Sequence, residues 1–175
     1  MFKPDDRLLL IDASGFIHRA YHAVGPKTRK SDGLPVGAVD GFVSLLWGVL
    51  VSRLGDWRPS HAACIFDYSG RTFRTEIFDG YKANRSAPDE DLRPQFALCR
   101  AASAAFGIPA IEEPGFEADD LIATYARLAV EQGFDVTIIS SDKDLMQLIN
   151  EHVSMLDPVK STHVGREQVF EKFGV

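Results

Sequence analysis

The sequence predicts an α/β fold with a mainly parallel central sheet and helices on both faces. Three observations predict it. Short apolar runs alternate with longer stretches of helical period. Several of those runs end in an acidic turn, as the strands of open α/β sheets often do at their ligand edge. The composition, 45% hydrophobic and 25% charged over 175 residues, is that of one ordinary globular domain. Collagen-like, coiled-coil and disordered classes are excluded.

Residues 7–12 (RLLLID) read as a short buried strand, followed by a helix over residues 14–22. Residues 24–35 carry Gly, Pro, Ser and Asp and read as a loop. From 36 to 54 apolar residues recur at helical spacing: Val39, Phe42, Val43, Leu46 and Leu50. Residues 61–67 (HAACIFD) form a second buried strand ending in Asp. Residues 68–90 show no dominant apolar period. A helical pattern resumes over 88–107, with Pro94 near its first turn, and residues 108–112 suggest a short strand. Residues 117–133 form an amphipathic helix on which Leu121, Ile122, Tyr125, Leu128 and Ala129 share one face. A third apolar strand spans 135–141, then a short helix 143–149, a strand 153–156 and a last helix 166–173. Alternating strands and helices of this kind build a parallel sheet.

Charge is unevenly spread. The net charge is −6; residues 1–100 hold 14 basic and 12 acidic side chains, and residues 101–175 hold 5 and 13. The total alone argues against a nucleic-acid partner, but position matters more than the sum. Cys64 and Cys99 cannot form a disulfide framework and read as buried free thiols. No leader pattern opens the chain, and the longest apolar stretch is well short of a membrane span. A cytoplasmic setting is the expectation.

Three strands end in carboxylates: Asp12, Asp67, and Asp142 with Asp144. Glu117, Asp119 and Asp120 open a helix beside them. Each alone could be a helix cap or could complement a helix dipole. Together they predict a crevice of seven acids. Two carboxylates about 4 Å apart repel by about 4 kcal/mol at an effective dielectric of 20. Bound cations relieve this, and all-oxygen donors select Mg²⁺ or Mn²⁺ over Zn²⁺.

Residues 70–85 (GRTFRTEIFDGYKANR) combine Arg71, Arg74, Lys82 and Arg85 with Phe73, Phe78 and Tyr81. This suits phosphate contacts and base stacking. The structural alternative is a surface loop whose aromatics, Phe73 and Phe78, dock into the core. Arg19 lies close to Asp12 and could add a phosphate contact, whereas His18, His22 and His61 read as structural or peripheral. Acidic crevice and basic flank together match two-metal phosphodiester hydrolysis.

The blocks LIDASGFIHRAYHA, IFDYSGRTFRTEIFDGYKANR, GFEADDLIATYA and ISSDKDLMQL, in this order, resemble the 5′-nuclease (5′→3′ exonuclease/flap endonuclease) domains found at the N-terminus of bacterial DNA polymerase I. The family has a PIN-like nuclease core. The resemblance implies a metal-dependent nuclease that cuts branched or nicked DNA near a 5′ flap, removes RNA primers and serves repair. It implies that Asp12, Asp67, Glu117 and Asp119 serve one metal position, with Asp120 close by, and that Asp142 and Asp144 serve a second. It places Tyr81, Lys82 and Arg85 in an arch or clamp, about residues 70–90, over the 5′ strand. Lys82 would touch the scissile phosphate and Arg85 would steer it. Arg19 and Tyr21 match positions near the entering DNA; Arg71 and Arg74 add DNA contacts. Two ions are implied for a complete domain, with a polymerase domain in the native full-length chain and a monomeric state. His18 stands where relatives often have Tyr, and Asp40 where they often have an aromatic.

Residues 1–175 would be the N-terminal part of such a domain, stopping before the helix–turn–helix region that grips duplex DNA. Weak or absent cleavage by this piece alone is the expectation. A PIN-like ribonuclease and a non-catalytic, structure-selective DNA-binding module are the competing readings. An Asp-x-Asp phosphatase would leave Asp12, Asp67 and the acidic triplet unexplained.

Overall fold

The computed structural model describes residues 6–84 and 88–174. Six strands form one sheet: β1 (Arg7–Asp12), β2 (His61–Ile65), β3 (Ala110–Ile111), β4 (Asp135–Ile139), β5 (Val153–Asp157) and β6 (Thr162–Val164). The helices are α1 (Ala13–Val24), α2 (Gly37–Gly48), α3 (Phe73–Ile77), α4 (Arg93–Ala105), α5 (Ala118–Glu131) and α6 (Arg166–Phe173). The strand order is β3-β2-β1-β4-β5-β6. All pairings are parallel except β5 with β6.

β1 lies between β2 and β4, so both its edges are paired, and Leu9, Leu10 and Ile11 are all fully buried. Leu9 and Ile11 point into a core built with Phe16, Phe42, Leu46 and Cys99 from α1, α2 and α4. Leu10 points the other way, into a core with Ile122, Ala126, Ile138 and Met155. This alternation across one strand is what places helices on both faces. Cys64 and Cys99 are free and fully buried, as expected.

The chain runs outward from β1 through β2 to β3. It then crosses back through α5 to the opposite side of β1. The reversal leaves a crevice between the C-terminal ends of β1 and β4, the place where open α/β sheets bind ligands.

Several expectations are refined. The helix expected over 36–54 ends as α2 at Gly48 and continues as a π-helical turn, Val49–Arg53. That wider turn carries Val49 into the core, with Leu50 only partly buried. The helix expected over 88–107 begins at Arg93, with Pro94 in its first turn, where a missing N–H costs nothing. On α5 the buried stripe is Ala118, Ile122, Ala126 and Ala129. Tyr125 and Leu128, assigned to that face from the sequence, are 36% and 41% exposed. Small alanines let the helix approach the sheet closely, so they outcompete the larger side chains for the contact. The short helix after β4 is a 3-10 turn, Asp144–Leu148. β6 and α3 carry too few residues to show a period.

α2 has no side-chain cap of its own. Gln95, on α4 and 1% exposed, supplies one in trans. Its Oε1 accepts the N–H groups of Ala38 at 2.8 Å and Val39 at 3.3 Å. Its Nε2 donates to the Asp91 carbonyl at 3.0 Å. Among the described residues no helix is long and apolar enough to cross a membrane.

Candidate metal centre and nucleic-acid interface

Asp12 ends β1 and is 8% exposed. It caps α1: Oδ1 accepts the Gly15 N–H at 3.2 Å. Oδ2 accepts the Ser140 hydroxyl at 2.7 Å. Gly15 is required by close approach, because a Cβ there would stand 2.8 Å from Asp12 Oδ2. Burial raises the Asp12 pKa; the bonds from Ser140 and Gly15 oppose this, and the charges of Asp67 and Asp142 add to it.

Asp67 follows β2. Its backbone N–H donates to Ser14 Oγ at 2.8 Å, and its Oδ1 accepts the Ala118 N–H at 2.8 Å. The carboxylate therefore faces the positive N-terminal end of α5. Asp119, on the first turn of α5, is pushed up to about 6, first by burial and then by the charges of Asp12, Asp142 and Asp67; Lys82 pulls the other way. Asp142 follows β4, its N–H donating to Ser140 Oγ at 3.0 Å and its Oδ1 accepting from Asp144 N at 2.9 Å. Asp12, Asp67, Asp119 and Asp142 thus form one electrostatically coupled group at the crevice.

Asp144 lines the adjoining cleft, about 450 Å³, with Asp12, Asp142, Lys143 and Arg19. Arg19 donates to Ser141 Oγ at 2.5 Å across it. The other two acids are drawn elsewhere. Asp120 forms a bidentate pair with Arg74, at 2.6 and 2.7 Å, and its Oδ2 accepts the Glu117 N–H at 3.0 Å. Arg74 holds the Asp120 carboxyl below the usual carboxylate range. Glu117 Oε1 accepts from Lys82 and Oε2 from Tyr81, each at 2.9 Å. Arg74 stands 3.5 Å from Glu117 as well.

The basic segment therefore folds back onto the start of α5. Arg74 packs over the Phe73 ring at 4.6 Å, and Phe73 packs on Phe116 with centroids 5.8 Å apart. Phe78, a core candidate from the sequence, is 65% exposed. Lys82 adopts a left-handed backbone, φ 54°. Arg71 reaches outward, 73% exposed and 3.6 Å from Asp79. Arg85 lies outside the described residues. The Tyr21 hydroxyl donates to Asp91 at 2.6 Å, tying α1 to the turn just before α4.

Ser14 and Ser140 went unnoticed in the sequence. Both are buried, 3% and 0% exposed, and each orients the backbone next to a crevice carboxylate. Their only signal is Ser beside Asp at a strand end, which also marks an ordinary turn.

The donor chemistry fits hard divalent cations: all oxygen, partly buried, and mutually repelling when ionised. Among the described residues no three His, Cys, Asp or Glu side chains are drawn closely enough together to hold an ion as they stand. Glu117, in particular, is held by cations of the chain itself.

The family model described as the 5′-3′ exonuclease, N-terminal resolvase-like domain matches residues 7–174. DNA polymerase I of Rhizobium leguminosarum is 57% identical over 176 residues, covering 99% of this chain and 17% of that protein. The 5′-3′ exonuclease of Aquifex aeolicus is 35% identical over 168 residues, covering 96% of this chain and 56% of that protein. The chain thus spans about a sixth of the former and just over half of the latter. Among solved structures, the T5 D15 protein co-crystallised with metal ions superposes with a TM-score of 0.69 at 20% identity, over 97% of this chain and 60% of that one. The catalytic core of Rad2 in complex with DNA substrate gives 0.56 at 19% identity, over 98% and 50%. At such identities the two structures establish the shared fold.

Proposed function

Since this chain belongs to the 5′-3′ exonuclease, N-terminal resolvase-like family, we propose that it is the catalytic core of a divalent-metal-dependent 5′ nuclease acting on nicked or 5′-flapped DNA. The observation that carries the reading is the coupled group of Asp12, Asp67, Asp119 and Asp142 at the sheet's switch point, flanked by Arg74, Tyr81 and Lys82. These four carboxylates, with Glu117 and Asp144, would hold Mg²⁺ or Mn²⁺, two ions in a complete domain. Bound there, the ions would supply charge neutralisation of the phosphodiester and a water acidic enough to attack it in line.

The chain's own residues do the rest. Ser140 keeps Asp12 and Asp142 in register across two neighbouring strands. Ser14 and the N-terminus of α5 aim Asp67. Lys82 and Tyr81 sit on Glu117, one on each oxygen, and their departure would free it further as a donor. An arriving phosphate offers Lys82 a replacement anion, so substrate entry and release of Glu117 become one exchange. Asp120 instead keeps Arg74, and with it α3, against α5. RNA-primed DNA as substrate and a polymerase domain in the same polypeptide follow from the same reading.

The test is incision of a 5′-flap DNA by this chain in Mg²⁺ or Mn²⁺, with calorimetry of the metal alone. The expected result is metal heat and incision at the branch, however slow, both lost in Asp67→Ala. Preference for single-stranded RNA would instead support the ribonuclease reading. Flap binding without metal heat, unchanged in Asp67→Ala, would leave only a DNA-binding module.

A further inference from the structure

Residues 101–175 hold five cations among 13 acids. Three of the five are matched: Arg127 with Glu131, Lys160 with Asp157, and Arg166 with Glu151. Lys172 packs over the Phe173 ring at 5.2 Å. Lys143 is the exception. It is exposed, it stands between Asp142 and Asp144 in sequence, and its ammonium makes no ion pair with any described residue. Asp142 instead turns its Oδ1 back to the Asp144 N–H, at 2.9 Å.

The place of Lys143 gives that free charge a use. With Asp12, Asp142 and Arg19 it lines the acidic cleft of about 450 Å³. With Asp144, Met146, Val169 and Phe173 it also lines a second cleft, about 410 Å³, that opens between the 3-10 turn and α6. Lys143 therefore stands on the divide between the two. Across the acidic cleft, Arg19 donates to the neutral Ser141 hydroxyl and, like Lys143, pairs with no carboxylate among the described residues.

The two ends of the carboxylate row thus differ. On the α5 side, Lys82 and Arg74 are committed to Glu117 and Asp120. On the β4 side, two cations stand uncommitted beside three carboxylates. A nucleic-acid strand that crosses such a row meets repulsion from the acids, and a free cation at the exit offsets it. A compact ammonium on a flexible stem suits a backbone phosphate of any sequence, because it holds position without reading a base.

We propose that Lys143 holds the backbone phosphate next to the scissile one, on the β4 side of the centre, so that the strand leaves the crevice across the Asp142–Asp144 turn toward α6. The proposal rests on the nuclease reading and adds to it the direction in which the strand crosses the sheet edge.

Fluorescence anisotropy in Ca²⁺ tests it, with 5′-flap DNAs in which one linkage at a time near the branch is a neutral methylphosphonate. In the wild-type chain, neutralising one linkage beside the cut should weaken binding about tenfold. Lys143→Gln should weaken binding of the unmodified DNA by a similar factor and become indifferent to that linkage alone, while the cost at other linkages stays. Its dependence of log Kd on log salt should fall by about one. Lys143→Arg should restore both readouts. Arg127→Gln, which removes the same charge from the far half of α5, should behave as wild type. If the effects of Lys143→Gln and of every linkage simply multiply, the contact is overturned and the nuclease reading stands. An affinity of Lys143→Gln within about twofold of wild type overturns the contact as well. Failure of the wild-type chain to bind any of the DNAs overturns both.

Discussion

Ser140→Ala removes one hydroxyl from a fully buried position, and that hydroxyl makes two bonds of different kind. It donates to the Asp12 carboxylate at 2.7 Å and accepts the Asp142 amide at 3.0 Å. A hydrogen bond to a charged group contributes about 1.5–3 kcal/mol, and an orphaned, partly buried amide adds up to about 1 kcal/mol once water is partly readmitted. The expected loss is therefore about 2–4 kcal/mol at neutral pH. For a chain of this size that lowers Tm by about 5–15 °C. Thermal and urea unfolding followed by circular dichroism in EDTA measure it, with an unchanged m-value showing that the variant still folds as one unit. Calorimetry with Mn²⁺ should then show weaker binding, because Asp12 and Asp142 lose their shared tether. A Tm within 1–2 °C of wild type would refute the reasoning, since no buried charge-assisted bond of this geometry is worth so little.

Gly15→Ala should forgo the gain of up to about 1 kcal/mol that Ala normally brings to a helix, because its Cβ would press on Asp12 Oδ2; unfolding in urea measures the stability and calorimetry the accompanying loss of Mn²⁺ affinity. Gln95→Leu leaves the Ala38 and Val39 amides unpaired at the start of α2 and should cost about 2–4 kcal/mol, read from the urea midpoint. Lys82→Ala should lower kcat at least about tenfold while KM shifts less than about threefold; the reverse split would demote Lys82 to a positioning contact. Asp32 is lowered to about 2, chiefly by its hydrogen bond from Arg29. A depressed folded-state pKa gives stability that is present above the unfolded value of 3.8 and lost as pH falls toward 2, so an NMR carboxyl titration should place Asp32 below the other exposed aspartates.

The strand ends are legible because an apolar run closed by Asp is a strong local signal, and it places Asp12, Asp67 and Asp142 on one edge from sequence alone. The roles of the acids on α5 were not legible. Glu117, Asp119 and Asp120 are near neighbours in sequence, yet one meets Lys82 and Tyr81, one joins the coupled group, and one meets Arg74. That division depends on how residues 71–84 fold back, a long-range event with no local pattern. The face of α5 was misjudged because side-chain size, rather than apolarity, decides how closely a helix approaches a sheet. Ser14 and Ser140 were silent because a serine after a strand looks the same whether it closes a turn or holds a carboxylate.

The backbone at Lys82 has a consequence for timing. A non-glycine residue in the left-handed region costs about 1–2 kcal/mol, so the segment carrying Lys82 is under local tension while its ammonium holds Glu117. The ion pair works against that tension. On the proposed function, a phosphate that took the ammonium away would leave that tension to favour departure, so the substrate itself would trip the segment. Lys82→Gly would relax that tension and remove the ion pair together, whereas Ala83→Pro would keep the charge but break the Ala83 N–H bond to Gly80 and push Lys82 out of its left-handed conformation.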